Sequence, residues 1–128
     1  MALNAYQLAT LKHLSASGDM TAKALIQGNN DMRVSVATKV GNNITVSIWV
    51  NDKAANLYLT SVPVSGAGTM AIGANGTLKA GSASKAVWAQ PAAATGRLDI
   101  VVTNAVAEQN LLMIESSSGD AAMVVLQY

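Results

Sequence analysis

Cysteine and phenylalanine are absent from this chain, and histidine occurs once. In 128 residues there are only eight Lys or Arg and seven Asp or Glu. Each scarcity excludes a kind of chemistry. Without cysteine there is no disulfide framework and no thiolate metal site, and the redox compartment stays open. His13 has no second imidazole to join it, while a metal site needs two or three further ligands. A histidine-dependent triad would have to recruit Asp52 or Asp99 from far along the chain. The basic residues stand singly, so no cluster can neutralise several phosphates, and nucleic-acid binding is not expected. No run approaches the ~20 apolar residues of a membrane helix. The stretch MALNAYQLATLKHL lacks a basic region followed by an apolar core, so it does not read as a secretory signal.

Charge is scarce throughout. Charged residues make up 12% of the chain, against about 25% in an average soluble domain. Hydrophobic residues make up 51%, enough for one domain to bury its own core. A free monomer would then expose mostly Ala, Ser, Thr, Gly and Asn, without the mixed charges that normally keep monomers apart. The expectation is that much of the surface is covered in an assembly. The plainer alternative is a soluble monomer with a small-residue surface.

Two kinds of periodicity are present. Residues 3–16 read as a helix, with Asn4 as cap, Gln7 reaching back, and Leu8, Leu11 and Leu14 or Ser15 at three-to-four-residue spacing. Gly18 ends it. Asp19 caps a second short helix over residues 20–26, containing Leu25 and Ile26 and closed by Gly28. Two short helices are marginal alone, so they must dock, either on their own sheet or as an arm on a neighbouring subunit.

Beyond the polar break at residues 29–31 the period becomes two. Residues 33–38 alternate. In ITVSIWV, residues 44–50, Ile44, Val46, Ile48 and Val50 share one face, and Thr45, Ser47 and Trp49 the other. Further strands are expected over 56–64, with Pro63 at a strand end or sheet edge, and over 69–72 and 85–89. Asn75-Gly76 is expected to form a hairpin turn. In residues 97–103, Leu98, Ile100 and Val102 face inward, and Arg97, Asp99 and Val101 outward. Residues 110–115 and 121–127 form a closing hairpin. Seven to nine short strands at about ten-residue intervals suit an antiparallel sandwich or barrel. The boundary falls near residue 30, dividing a helical arm (1–30) from a β domain (31–128).

No constellation of catalytic groups emerges. The carboxylates Asp19, Asp31, Asp52, Asp99, Glu108, Glu115 and Asp120 mostly fall at caps, turns or outward strand positions, without the facing pair a glycosidase needs. The polar turns lack calcium-loop spacing. The glycine-rich stretches at 66–68 and 73–76 open no helix and precede no Lys-Ser or Lys-Thr, which removes a phosphate cradle. No enzyme activity, cofactor or metal is expected. Trp49 has two readings: it fills a second layer of core, or it lies exposed and stacks on a sugar or anchors a contact.

From Ile44 onward the chain resembles small tailed-bacteriophage virion proteins with an Ig-like β-sandwich, of head-decoration and head-fibre type. The likeness rests on ITVSIWV (44–50), AIGANGTL (71–78), RLDIVVT (97–103) and the two closing strands. It implies a mainly β protein with an Ig-like antiparallel sandwich; the helical arm, read from its own periodicity, is not covered by the likeness, and attachment is expected there. The likeness also implies a non-enzymatic structural protein of the virion, made in the host cytoplasm and attached to the outer capsid surface. The implied partners are the major capsid protein and further copies of the chain, a trimer being one option. Leu8, Leu11, Leu14, Leu25, Ile26 and Trp49 are the expected interface residues. The rival reading is a tail or fibre module that binds host glycans through Trp49 or Trp88.

Overall fold

Alternation along β3 (Asn43–Val50) sets the inside and outside of the molecule. Ile44, Val46, Ile48 and Val50 are buried in the main core, as a period of two on a half-covered strand requires. A computed structural model describes residues 22–27 and 32–128. They form ten strands: β1 (Ala22–Gln27), β2 (Met32–Val36), β3, β4 (Leu57–Pro63), β5 (Thr69–Ile72), β6 (Thr77–Ala80), β7 (Ala86–Gln90), β8 (Arg97–Thr103), β9 (Gln109–Ser116) and β10 (Ala121–Gln127). All pair antiparallel, in two sheets. Sheet A runs β1-β10-β9-β4-β7-β6, and sheet B runs β2-β3-β8-β5.

One apolar cluster joins the inner faces of the sheets. Ile44, Val46 and Ile48 of β3 and Leu98, Ile100 and Val102 of β8 meet Leu57 and Leu59 of β4, Leu112 and Ile114 of β9, and Val124 and Leu126 of β10. This is sandwich packing, in which burial of apolar area is the main stabilising term. Tyr128 crosses the gap, its hydroxyl donating to the carbonyl of Val102. At one end of the core the polar side chains pair among themselves. Asn110 Nδ2 donates to Ser61 Oγ at 2.8 Å and Asn104 Nδ2 donates to Asn110 Oδ1 at 3.2 Å. Among the described residues no buried side-chain polar atom lacks a partner, as a stable interior requires.

The inward assignments for residues 44–50 and 97–103 agree with the structure; on the outward face Ser47 and Asp99 are themselves buried. The closing hairpin also agrees: β9 and β10 pair from Ala121 opposite Glu115 to Gln127 opposite Gln109. Pro63 ends β4, as expected.

Two expectations are corrected. In place of a helix over residues 20–26, Ala22–Gln27 form strand β1, paired with β10 from Ala22 opposite Leu126 to Gln27 opposite Ala121. The residues AKALIQ have fair helix propensity, but a free edge on β10 offers a full ladder of backbone hydrogen bonds, and tertiary pairing overrides weak propensity. The helix expected over residues 3–16 lies outside the described residues. Asn75-Gly76 is not a hairpin turn, because β5 pairs with β8 in sheet B while β6 pairs with β7 in sheet A. The segment is a crossover between sheets. Gly76 there has φ +100°, and a Cβ would lie 2.4 Å from Leu98 Cδ1 and 2.9 Å from the Gln90 carbonyl oxygen. Only glycine suits that conformation and space.

Candidate functional site

Three surface features gather the chemistry. The first is on the outer face of sheet A. Register places Tyr58 of β4 opposite Trp88 of β7, and both point away from the core. Their rings stack at 6.4 Å between centroids and 24° between planes, a favourable offset arrangement. Trp88 Nε1 donates to Asn56 Oδ1 at 3.2 Å, and Gln90 Nε2 donates to the same oxygen at 2.8 Å, which fixes the indole. Tyr58 is 46% exposed, Trp88 39% and Val62, on the same face, 41%. Along Tyr58 and Trp88 runs an open groove of about 250 Å³, lined also by Thr60, Ala80 and Ala86 and by no charged side chain.

The second feature is on the outer face of sheet B. Trp49 of β3 lies between Arg33 of β2 and Arg97 of β8, its partners on either side in the register. The guanidinium carbons sit 5.3 Å and 5.1 Å from the ring centroid, within cation–π range. Trp49 is half-buried, so it is neither a core layer nor a free stacking surface. Arg97 Nε donates to Asp99 Oδ1 at 2.9 Å, and Asn75 Nδ2 donates to Asp99 Oδ2 at 2.6 Å. Burial raises the Asp99 carboxyl, but hydrogen bonds from Asn75, Ser47 and Arg97, with the charge of Arg97, outweigh it and hold the group below its ordinary value. The result is a tied network that anchors the 73–76 crossover to β8. Backbone bonds from Gly73 N to Asp99 O and from Asp99 N to Asn75 O complete it.

The third is a loop clamp. The Glu108 carboxylate accepts from the backbone N–H of Val64 at 2.7 Å, of Ser65 at 2.8 Å and of Gly66 at 2.5 Å, and from Ser65 Oγ at 3.1 Å. Desolvation raises its pKa, but these donors together bring it below the ordinary glutamate value. Glu108 thereby ties the β4–β5 loop to the β8–β9 loop.

Of the residues expected at an interface, Leu8, Leu11 and Leu14 lie outside the described residues, as does His13. Leu25 and Ile26 lie on β1, opposite Met123 and Ala122 of β10, and Trp49 belongs to the arginine-flanked site. The pairing of Tyr58 with Trp88 is not evident from the sequence. Its signal is present, since both occupy outward positions, but it depends on the register between strands thirty residues apart. Among the described residues no group of three or more His, Cys, Asp or Glu is placed to hold a metal ion, and no helix is long and apolar enough to cross a membrane. Comparison with protein families, with curated proteins and with solved structures finds no match to this chain.

Proposed function

We propose that this protein is a structural component of a bacteriophage virion. In this reading it is a capsid decoration or head-fibre protein that binds the outer capsid surface and reinforces it. The observation that carries the reading is the exposure of Tyr58, Val62 and Trp88 on one face of sheet A in a chain already poor in charge. Large apolar side chains exposed together on one face suit a contact site, and aromatic anchors dominate such contacts. Each Å² covered contributes roughly 25 cal/mol, and attachment by several linked copies multiplies the effect. The partners are the major capsid protein and other copies of the chain.

The strand order supports an Ig-like assignment within this reading. Sheet B, β2-β3-β8-β5, has the A-B-E-D order, and β10-β9-β4 has the G-F-C order of Ig-like sandwiches. The chain departs from that pattern between β4 and β8, where it visits sheet B as β5 and returns to sheet A as β6 and β7. A second reading, a tail or fibre module that grips host glycans, is favoured by the stacked Tyr58–Trp88 pair, since aromatic faces stack on sugars.

Virions of the phage that encodes the chain decide between them. Decoration requires symmetric copies over the shell by electron cryo-microscopy, and loss of those copies in the Trp88→Arg variant. Copies confined to the tail, or none on the particle, overturn it. A glycan array with the Trp88→Ala variant tests the second reading, which fails if no sugar binds the parent chain.

A further inference from the structure

On sheet A the odd-numbered residues of β9 and β10 point away from sheet B, because the even-numbered ones, Leu112, Ile114, Val124 and Leu126, form the main core. Outward residues with nothing above them would be exposed. Instead Met113 is 2% exposed, Met123 3% and Val125 2%. With Leu111 they make an apolar cluster separate from the main core. On the adjoining strand of the same face Tyr58 and Val62 stand open to solvent. Neighbours in a sheet cover the flanks of an outward side chain but not its tip. The described strands alone therefore do not account for the burial of this face over β10 and β9.

The described strands account for only two layers, and sheet B occupies the opposite side. The chain that remains to supply a third is the segment of residues 1–21. It joins β1 at Ala22, opposite Leu126 of β10, at the margin of this face. It carries Leu8, Leu11 and Leu14, apolar side chains at a spacing that needs an apolar partner. The other undescribed stretch, 28–31, has only four residues between β1 and β2.

We propose that the Leu111, Met113, Met123 and Val125 face of sheet A is the seat of residues 1–21 of the same chain. This inference goes beyond the virion assignment and does not depend on it. It has a consequence for attachment: leucines seated on their own sheet are withdrawn from any particle contact, which then falls to Tyr58, Val62 and Trp88.

The test uses the full chain carrying the diazirine analogue of methionine, as an equal mixture of nitrogen-15-labelled and unlabelled protein. After irradiation and trypsin, the expected product joins peptide 1–12 to peptide 98–128, which holds Met113 and Met123, within chains of one isotope. Products of mixed isotope would assign the seat to a second copy, and absence of the product would leave the face to another occupant; either overturns the proposal. A second arm replaces Leu8, Leu11 and Leu14 by Glu in the full chain and follows peroxide oxidation. Met113 and Met123 should oxidise about tenfold faster or more, as a locally opened cover predicts, with Met32 and Met70 of the main core unchanged. Unchanged rates at Met113 and Met123 also overturn it. Acceleration at all four methionines reports global unfolding, and the crosslink then decides.

Discussion

Replacing Asp99 by Ala isolates what the buried carboxylate on sheet B contributes. The substitution removes the acceptor for Asn75 Nδ2 at 2.6 Å and for Arg97 Nε at 2.9 Å. A hydrogen bond to a charged group stabilises by about 1.5–3 kcal/mol. The Arg97 side chain is well exposed, so its ion pair adds under about 1 kcal/mol. The sum is a loss of about 2–4 kcal/mol, a large share of the roughly 5–15 kcal/mol of a typical domain. The pH dependence follows from the direction of the Asp99 shift. Its folded pKa lies below the ordinary 3.8, so its stabilisation is fully present above that value and is lost as pH falls through the folded pKa. Urea unfolding of parent and variant, followed by tryptophan fluorescence near neutrality and again in acid, should show a wide gap that closes as the pH drops. A gap under about 0.5 kcal/mol at neutrality, the range of ordinary surface substitutions, would refute the reasoning. So would a gap of equal size in acid.

Three further outcomes are expected. Gly76→Ala places a methyl against Leu98 and the Gln90 carbonyl at φ +100° and should cost about 1–3 kcal/mol, measured by the same urea titration; a neutral result removes the steric account of the crossover. Burial pushes the Tyr128 phenol from 10.0 up to about 12, so its stabilising effect is present below the ordinary value and fades as pH rises from 10 through 12. Tyr128→Phe should flatten that alkaline decline, and an unchanged alkaline limb speaks against it. Trp88→Ala should leave stability within about 1 kcal/mol, since the ring is partly exposed and truncation of such a site removes little core, while weakening any particle contact. A thermal melt beside a particle-binding assay separates the two effects.

How much of the fold is legible in the sequence depends on the range of the contacts. β3 and β8 are legible because each alternates cleanly over seven or eight residues and each buries one whole face. The β9–β10 hairpin is legible because its turn, 117–120, is local. Misread segments are those whose partner lies far away in sequence. Ala22–Gln27 looks helical until the open side of β10, about a hundred residues on, is known. Asn75-Gly76 has ordinary turn chemistry, and nothing nearby reveals that the strands flanking it join different sheets. The surface sites are illegible for the same reason. Arg33, Trp49 and Arg97 come from three strands and meet only through two registers, and Glu108 finds its donors on a loop more than forty residues upstream.

The sheet margins carry a consequence for how copies can associate. Beside the open face of sheet A, the outermost strand β6 has four residues, includes Lys79 and is broken by a bulge between Leu78 and Ala80. In sheet B the outermost strands are β5, with four residues, and β2, which presents Arg33. Short, interrupted or charged borders are poor templates for a neighbour's backbone. A chain with so little electrostatic repulsion is open to edge-to-edge growth into fibrils, and these three borders resist it; the fourth, β1, is an uninterrupted strand of six residues, so it is the margin at which a neighbour's backbone would add.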